Sequence, residues 1–169
     1  MIIERLTPVE LVVTDDEIRS HCRLDEQQWL EQMDIIRLYA AAAQDEAERI
    51  TRRAIGPGTY SLTMTAPVRE VELPNPPLVS IDSITDSLAY TTLHRNGIPV
   101  VKLDTTSGTD VTIIYQAGFA TVPEGIKAWI LLRTATYVEN RESDSTKPVA
   151  PNEFAQNLLT PYISRLVLA

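Results

Sequence analysis

A long amphipathic helix is the feature that most constrains this fold. Residues 26–54 carry an apolar stripe whose members are spaced alternately by four and three residues: Trp29, Met33, Ile36, Ala40, Ala43, Ala47, Ile50 and Ala54. This spacing keeps one face of an α-helix apolar along its whole length. A second apolar set covers part of another face in the first half of the helix: Ile35, Leu38, Ala41 and Ala42.

The stripe has two interpretations, and the sequence leaves both open. In one, the helix is buried between neighbouring elements of its own domain. In the other, this face contacts a neighbouring subunit, because alanines in the middle of a stripe allow another helix to approach closely. The candidate subunit-interface residues are Trp29, Met33, Ile36, Ala40, Ala43 and Ala47.

Three further helices are predicted around this long one. Thr14 and Glu17 form a capping box, which predicts a short helix immediately after Thr14. Pro123 suits the first turn of a second long helix, which is apolar on two faces. The predicted ranges are 15–24, 123–141 and 151–159. The polar stretch 143–150 before the last helix is predicted to be a flexible linker.

Residues 59–117 change from helical periodicity to the alternating, β-branched pattern of strands. Asn96-Gly97 lies between two such runs and is a strong signal for a two-residue hairpin. The Pro74–Pro77 segment cannot be a central strand, so it is predicted to be a connection. The fold class is therefore α+β: a mainly helical body with an inserted small antiparallel β-sheet, in a single domain over 1–169.

Composition excludes several classes of function. The chain has 169 residues, with 15 Lys or Arg and 23 Asp or Glu, so its formal charge is −8. This acidity argues against a broad nucleic-acid-binding face, which needs clustered basic residues. Cys22 is the only cysteine, which excludes an internal disulfide. No secretory signal is recognisable, and no apolar run is long enough for a membrane span, so we expect a soluble intracellular protein.

A search for catalytic patterns predicts no catalytic, cofactor-binding or metal-binding residues, and we expect no enzymatic activity. His21 and Cys22 are adjacent, so on a helix their side chains point about 100° apart and cannot act as a base and nucleophile pair. The other histidine, His94, falls in a predicted strand. The sequence contains no dinucleotide-binding, phosphate-binding or nucleophile-elbow motif.

The C-terminal segment 151–169 ends in an apolar tail with two interpretations. It is either a terminal strand packed on its own domain or an arm that docks on a partner. The candidate docking residues are Tyr162, Ile163, Arg165, Leu166, Val167 and Leu168.

Four segments, taken in order, resemble one known family. They are ELVVTDDEIRSHCRLDEQQ, AAAAQDEAERITRR, VELPNPPLVSIDSI and VTIIYQAGFATVPEGIKAWILLRTATYVENRE. The chain resembles, over about residues 10–162, the head–tail connector (adaptor) proteins of long-tailed double-stranded DNA phages, prophages and gene-transfer particles. The ELPNPPL, YQAGF and YVENRE segments are the most specific. Two places depart from the family pattern, Cys22–Leu24 and 143–152.

The resemblance implies a structural protein of the virion neck, assembled in the host cytoplasm, without a cofactor and without a membrane. About twelve copies would form a closed ring under the portal, extend the DNA channel and support a further neck or tail-completion protein. Double-stranded DNA would be only a transiting cargo, for which a net negative channel lining is expected. The helices would pack around the ring, the β region would be an outer or tail-facing part, and residues 151–169 would contact the portal protein.

Two alternatives remain on the sequence alone. One is a head-closure or tail-completion protein, although such proteins are typically richer in β-structure. The other is a small intracellular enzyme or ligand-binding α+β domain, whose polar pocket would contain carboxylates with perturbed pKa values.

Overall fold

The computed structural model of the chain describes residues 1–140 and 157–164. Three complete α-helices, the end of a fourth at residues 157–159 and seven β-strands lie in this part, which confirms the α+β class. The helices are α1 (Asp15–His21), α2 (Glu26–Thr51) and α3 (Glu124–Glu139). The strands are β1 (Ile2–Arg5), β2 (Gly58–Met64), β3 (Val68–Glu72), β4 (Leu78–Ile84), β5 (Tyr90–Arg95), β6 (Ile98–Ser107) and β7 (Val111–Ala117).

The described residues divide into two compact units. The β unit contains Met1–Glu10, Arg52–Ala120 and Ser164. The helical unit contains Leu11–Thr51 together with 121–140 and 157–163. That the whole chain acts as a single connector domain, with 59–117 as an insertion, stays a prediction.

The strands of the β unit are distributed over two antiparallel sheets rather than one. The larger sheet has the order β1-β2-β7-β4, and the smaller has the order β3-β6-β5. Strand β1 was not predicted and pairs with β2, so that Ile3 lies opposite Leu62. Its four residues, IIER, are too few to display an alternating pattern, which is why the sequence did not indicate it.

The core of the β unit consists of residues that alternate with more exposed ones along a strand. In β7, Val111, Ile113, Tyr115 and Ala117 are buried while the residues between them are more exposed. The Tyr115 hydroxyl donates a 2.9 Å hydrogen bond to the carbonyl oxygen of Pro74, and its ring stacks on Tyr60 at 5.6 Å. Burial raises the pKa of Tyr115 well above its ordinary value. Tyr115 therefore joins the Pro74–Pro77 connection to the core.

The predicted hairpin is confirmed. Arg95 pairs with Ile98, so Asn96 and Gly97 form a two-residue loop. Both have positive φ angles, 53° and 79°, as a type I′ turn requires. Asparagine and glycine are the residues that adopt this conformation most readily.

Both N-terminal helices start at a capping box, and the one at Thr14 and Glu17 confirms the prediction. Thr14 and Glu17 form a complete capping box for α1. Asp25 and Gln28 do the same for α2, since the Gln28 N–H donates to Asp25 Oδ1 at 2.8 Å and the Asp25 N–H donates to Gln28 Oε1 at 3.1 Å.

The helix ends differ from the prediction by two or three residues. Helix α1 ends at His21 rather than residue 24, and α2 ends at Thr51 rather than residue 54. Left-handed residues follow both helices, Arg23 with φ of 54° and Arg52 with φ of 53°, and a left-handed residue stops helical hydrogen bonding. Helix α3 covers Glu124–Glu139 within the predicted 123–141.

The C-terminal helix predicted over 151–159 is described only at its end. Residues 157–159 are helical, and a 3-10 turn over Thr160–Tyr162 follows. Pro161 lies inside that turn instead of ending the helix before it. The first part of the predicted helix and the predicted linker 143–150 lie outside the described residues.

Candidate assembly surfaces

The predicted interface stripe of α2 lies largely inside the helical unit. Of its six candidates, Ile36, Ala40, Ala43 and Ala47 are 0% exposed and Trp29 is 7% exposed, while Met33 is half-buried. This burial favours the first interpretation, a helix packed within its own domain. The role of these residues in a subunit interface stays a prediction. Later in the helix, Ile50 departs from the stripe and is 38% exposed.

A polar cluster joins α2 to α3. The Arg133 guanidinium donates two hydrogen bonds to the Glu46 carboxylate, at 2.7 and 3.1 Å, and the Tyr137 hydroxyl donates a third at 2.9 Å. Arg133 also lies 4.9 Å from the centre of the Tyr137 ring, which contacts Tyr39. Desolvation lowers the pKa of Arg133, but the hydrogen bond and charge of Glu46 outweigh it, so the pKa is raised. The cluster fixes the relative position of the two helices.

Two ion pairs hold the first turn of α1. Asp15 accepts a hydrogen bond from Arg37 Nε of α2 at 3.0 Å, and Glu17 accepts one from Lys127 Nζ of α3 at 3.2 Å. The hydrogen bond from Arg37 lowers the pKa of Asp15. The pKa of Glu17 is lowered mainly by the Thr14 backbone N–H and secondly by Lys127. Below these pairs, Ile18 is fully buried. Helix α1 is thus tied to both long helices.

Gln44 is a buried polar residue that sequence reasoning missed. It is 0% exposed, and its Oε1 accepts a 3.0 Å hydrogen bond from the Val12 backbone N–H. Its position inside the AAAAQDEA run was the available signal, because a polar residue beside a buried alanine stripe needs a hydrogen-bond partner. Gln44 thereby anchors the segment that enters α1.

The C-terminal candidates are described only in part. Tyr162 lies against α3, since a Cβ added to Gly125 would be 3.4 Å from its ring and hydroxyl. Ile163 is 45% exposed and is available to a partner. Arg165, Leu166, Val167 and Leu168 lie outside the described residues. The docking role of this segment stays a prediction.

The YQAGF segment has a physical reason for its glycine. Gly118 has φ of 138°, and a Cβ there would lie 2.5 Å from the Gly56 carbonyl oxygen. Its N–H donates to the Pro77 carbonyl at 3.0 Å, and the Phe119 N–H donates to the Ile55 carbonyl at 3.3 Å. The GPG, NPP and QAG segments of the sequence therefore meet at one close backbone crossing that only glycine allows.

The two histidines, which were considered as catalytic candidates, lie in different units of the fold. His21 ends α1 and is exposed, while His94 is exposed on β5 in the other unit. Burial, together with the charge of Glu139, raises the pKa of the half-buried Cys22 thiol, which disfavours the nucleophilic thiolate. Among the described residues, no group of three or more His, Cys, Asp or Glu is placed to hold a metal ion. Within 1–140 and 157–164, no helix has the length and hydropathy of a membrane span.

Several large apolar side chains remain exposed. On α2 they are Leu30 at 63%, Ile35 at 39%, Leu38 at 61% and Ile50 at 38% exposure. In the β unit they lie mainly in the N-terminal segment and on the edge strands: Met1, Ile2, Ile3, Leu6, Val9, Val79, Tyr90 and Leu93. Such surfaces in a folded chain are typical of protein–protein contacts.

The fold as a whole matches chains of known structure. A chain in the neck of an empty GTA particle, computed with C6 symmetry, has a TM-score of 0.83 and 20% sequence identity. A chain in the virion of the native gene transfer agent (GTA) particle has a TM-score of 0.81 and 18% identity. A chain in the neck of the native GTA particle, computed with C12 symmetry, has a TM-score of 0.76 and 19% identity.

Each of these matches covers 100% of this chain and 98% of the other chain. The whole architecture is therefore shared, including both units and not merely one common motif. No family model and no curated protein matches the sequence.

Proposed function

We propose that this chain is a structural protein of the neck of a phage-like particle, a head–tail connector located beneath the portal. The observation that carries the proposal is the match of the entire fold, at a TM-score of 0.83, to a chain of a GTA neck. The independent resemblance of the ELPNPPL, YQAGF and YVENRE segments to connector proteins supports the same role.

The proposal includes a ring of copies. The matching necks were computed with C6 and C12 symmetry, which supports a cyclic arrangement with about twelve copies. In such a ring, each copy contacts its neighbour head to tail through two different surfaces. The ring would extend the DNA channel and present a platform to a further neck or tail-completion protein.

No enzymatic activity is part of this proposal. The acidic groups with lowered pKa values, Asp15, Glu17 and Glu70, are all paired with basic side chains. Their pKa values are lowered by structural hydrogen bonds and ion pairs, for Glu17 mainly by the Thr14 backbone N–H, rather than by a substrate pocket. A rigid helical body and a channel of low affinity for DNA are sufficient for a connector, and the net charge of −8 suits the passage of DNA as cargo.

Electron microscopy of complexes with the portal protein encoded in the same genome tests the role. We expect the full chain to add a ring of density under the portal. A truncation after Thr160 removes the proposed docking segment, and we expect it to lose this density. A second truncation after Ser164 keeps the turn that carries Tyr162 and removes only residues 165–169.

The two truncations separate the parts of the docking segment. Loss of density with both variants places the portal contact in residues 165–169. Loss only after removal of residues 161–169 places it at Tyr162 and Ile163. Density that survives both moves the contact to another surface but keeps the role. Absence of binding by the full chain contradicts the connector role and favours a tail-completion protein.

A further inference from the structure

Helix α2 carries an apolar face directed away from its buried stripe. We call it the outer face and define it by Leu30, Ile35, Leu38 and Ala42, all of which are exposed. At 100° per residue these four positions fall within about 140° of the helix circumference. They lie opposite Ala40, Ala43 and Ala47 of the buried stripe.

The two leucines of the outer face are much more exposed than leucine side chains usually are in folded proteins. Leu30 and Leu38 are 63% and 61% exposed in the chain alone. Burial of such a side chain against a partner is favourable, because it removes apolar surface from water. One exposed leucine needs no explanation, but three large apolar residues on one face of the longest helix indicate a contact surface.

The charges around the outer face exclude some occupants. Glu31 and Asp34 lie between the apolar residues of this face, and Asp45 and Arg49 follow at its C-terminal end; all four are exposed. Acidic side chains repel the phosphates of DNA, and so they disfavour a nucleic-acid contact. Apolar and charged side chains are interspersed on this face, and such mixed surfaces occur in protein–protein interfaces.

We propose that the outer face of α2 contacts a second copy of this chain, the neighbour in the ring. This inference rests on the proposed connector function, because a closed ring requires every copy to present a surface to its neighbour. The proposed portal-docking residues lie elsewhere, in the C-terminal segment, which leaves the outer face available for the contact between copies.

The small size of the outer face indicates a contact that is weak between two free copies and becomes stable only when many copies form a ring. From Leu30 to Ala42 the helix rises by about 18 Å. Stable interfaces bury about 800 Å² on each partner, and four side chains supply only part of that area. Two free copies are therefore expected to associate weakly. A portal that holds several copies side by side raises their effective concentration and completes the ring.

Substitution of an outer-face leucine by arginine tests the contact. We expect Leu38→Arg to fold with the circular dichroism and melting temperature of the unmodified chain, because the side chain is in water. On the portal, we expect this variant to lose the ring or to leave it incomplete. Leu93→Arg is the matched control, since it makes the same change at an exposed leucine of β5, and we expect it to keep the ring.

Assembly of rings from a mixture of Leu38→Arg and unmodified copies gives a second test of the contact. In a head-to-tail ring, a Leu38→Arg copy still offers its other surface, so it joins a neighbour on one side and blocks growth on the other. A minority of variant copies, about one in six, should therefore disrupt most twelve-membered rings. If rings persist at that ratio, the outer face does not lie between copies.

A photo-crosslinker identifies the occupant directly. It is attached at position 38 in the double variant Cys22→Ser, Leu38→Cys, which has a single thiol. Equal amounts of nitrogen-15-labelled and unlabelled chain are assembled on the portal and irradiated. We expect crosslinked peptides of this chain that combine both isotopes, which only two different copies can produce. Crosslinks to portal peptides, or none in an intact ring, overturn the inference.

The outcomes for the two proposals differ. If the unmodified chain forms a ring and Leu38→Arg forms it equally well, only the inference about the outer face fails. Loss of the ring with both Leu38→Arg and Leu93→Arg also overturns it, because the effect would not be specific to α2. If the unmodified chain forms no ring on the portal, the connector function itself fails, and the inference fails with it.

Discussion

The β unit and the helical unit are stabilised in different ways. The β unit buries large apolar side chains from both of its sheets in one cluster that includes Leu62, Leu103 and Ile113. The helical unit has small alanines along much of its α2 stripe, and ion pairs and the Glu46 cluster join its helices. It exposes Leu30 and Leu38 on α2, and the β unit exposes apolar side chains in its N-terminal segment and on its edge strands. The difference indicates that the β unit is stabilised by one apolar core, while the helical unit is stabilised by close helix packing together with polar contacts between its helices.

The largest effect is expected in the β core. Ile113→Ala removes a side chain that is 0% exposed, and it should lower the free energy of unfolding by about 2–5 kcal/mol because a cavity remains. Chemical denaturation measures the change. Val79→Ala is the control on edge strand β4, where the side chain is 61% exposed, and it should have little effect. Equal effects at the two positions would contradict the core described above.

Overpacking of the alanine stripe should have the next largest effect. Ala43→Leu introduces a larger side chain at a position with 0% exposure, and it should destabilise the chain by about 1–3 kcal/mol. Ala42→Leu makes the same change one residue earlier on the exposed side of α2, and it should be nearly neutral for folding. A thermal melt compares the two variants. Tolerance of leucine at position 43 would mean that α2 is not closely packed there.

The Glu46–Arg133 pair should show a smaller, measurable coupling. Both side chains are partly exposed, at 20% and 37%, so solvent screens the pair. A double-mutant cycle with Glu46→Gln and Arg133→Met should give a coupling energy of about 1 kcal/mol. Additive effects of the two substitutions would show that the cluster does not link α2 to α3.

Lowering the pH is expected to have the smallest of these effects on the free energy of unfolding. The folded-state pKa values of Asp15 and Glu17 lie below their ordinary values of 3.8 and 4.5. Their contribution to stability is therefore complete above the unfolded pKa values and is lost as the pH falls through the lowered folded values. The free energy of unfolding is measured by denaturation from about pH 6 to about pH 2. It should decrease less over this range in the double variant Asp15→Asn, Glu17→Gln than in the unmodified chain. An identical decrease would contradict the role of these ion pairs.

The strands and helix starts could be predicted because their signals are local. Alternation placed the strands within 59–117, Asn96-Gly97 identified the hairpin, and Thr14 identified the cap of α1. Each of these depends on residues only a few positions apart. The α+β class followed directly from them.

Features that depend on distant residues could not be predicted. The distribution of strands over two sheets requires long-range pairing, and Glu46 meets Arg133 and Tyr137 across 87 and 91 residues. The apolar set at Ile35 and Leu38 was visible in the sequence, but its exposure was not. Because the other stripe is buried within the helical unit, the exposed apolar side chains of α2 lie mainly on the outer face.

The connector role is tested most directly by deleting the gene for this chain and imaging the resulting particles by electron microscopy. The account predicts heads without attached tails, and it predicts that the unmodified gene supplied in trans restores tailed particles with a ring between portal and tail. Tailed particles with an unchanged neck in the absence of the chain would contradict it.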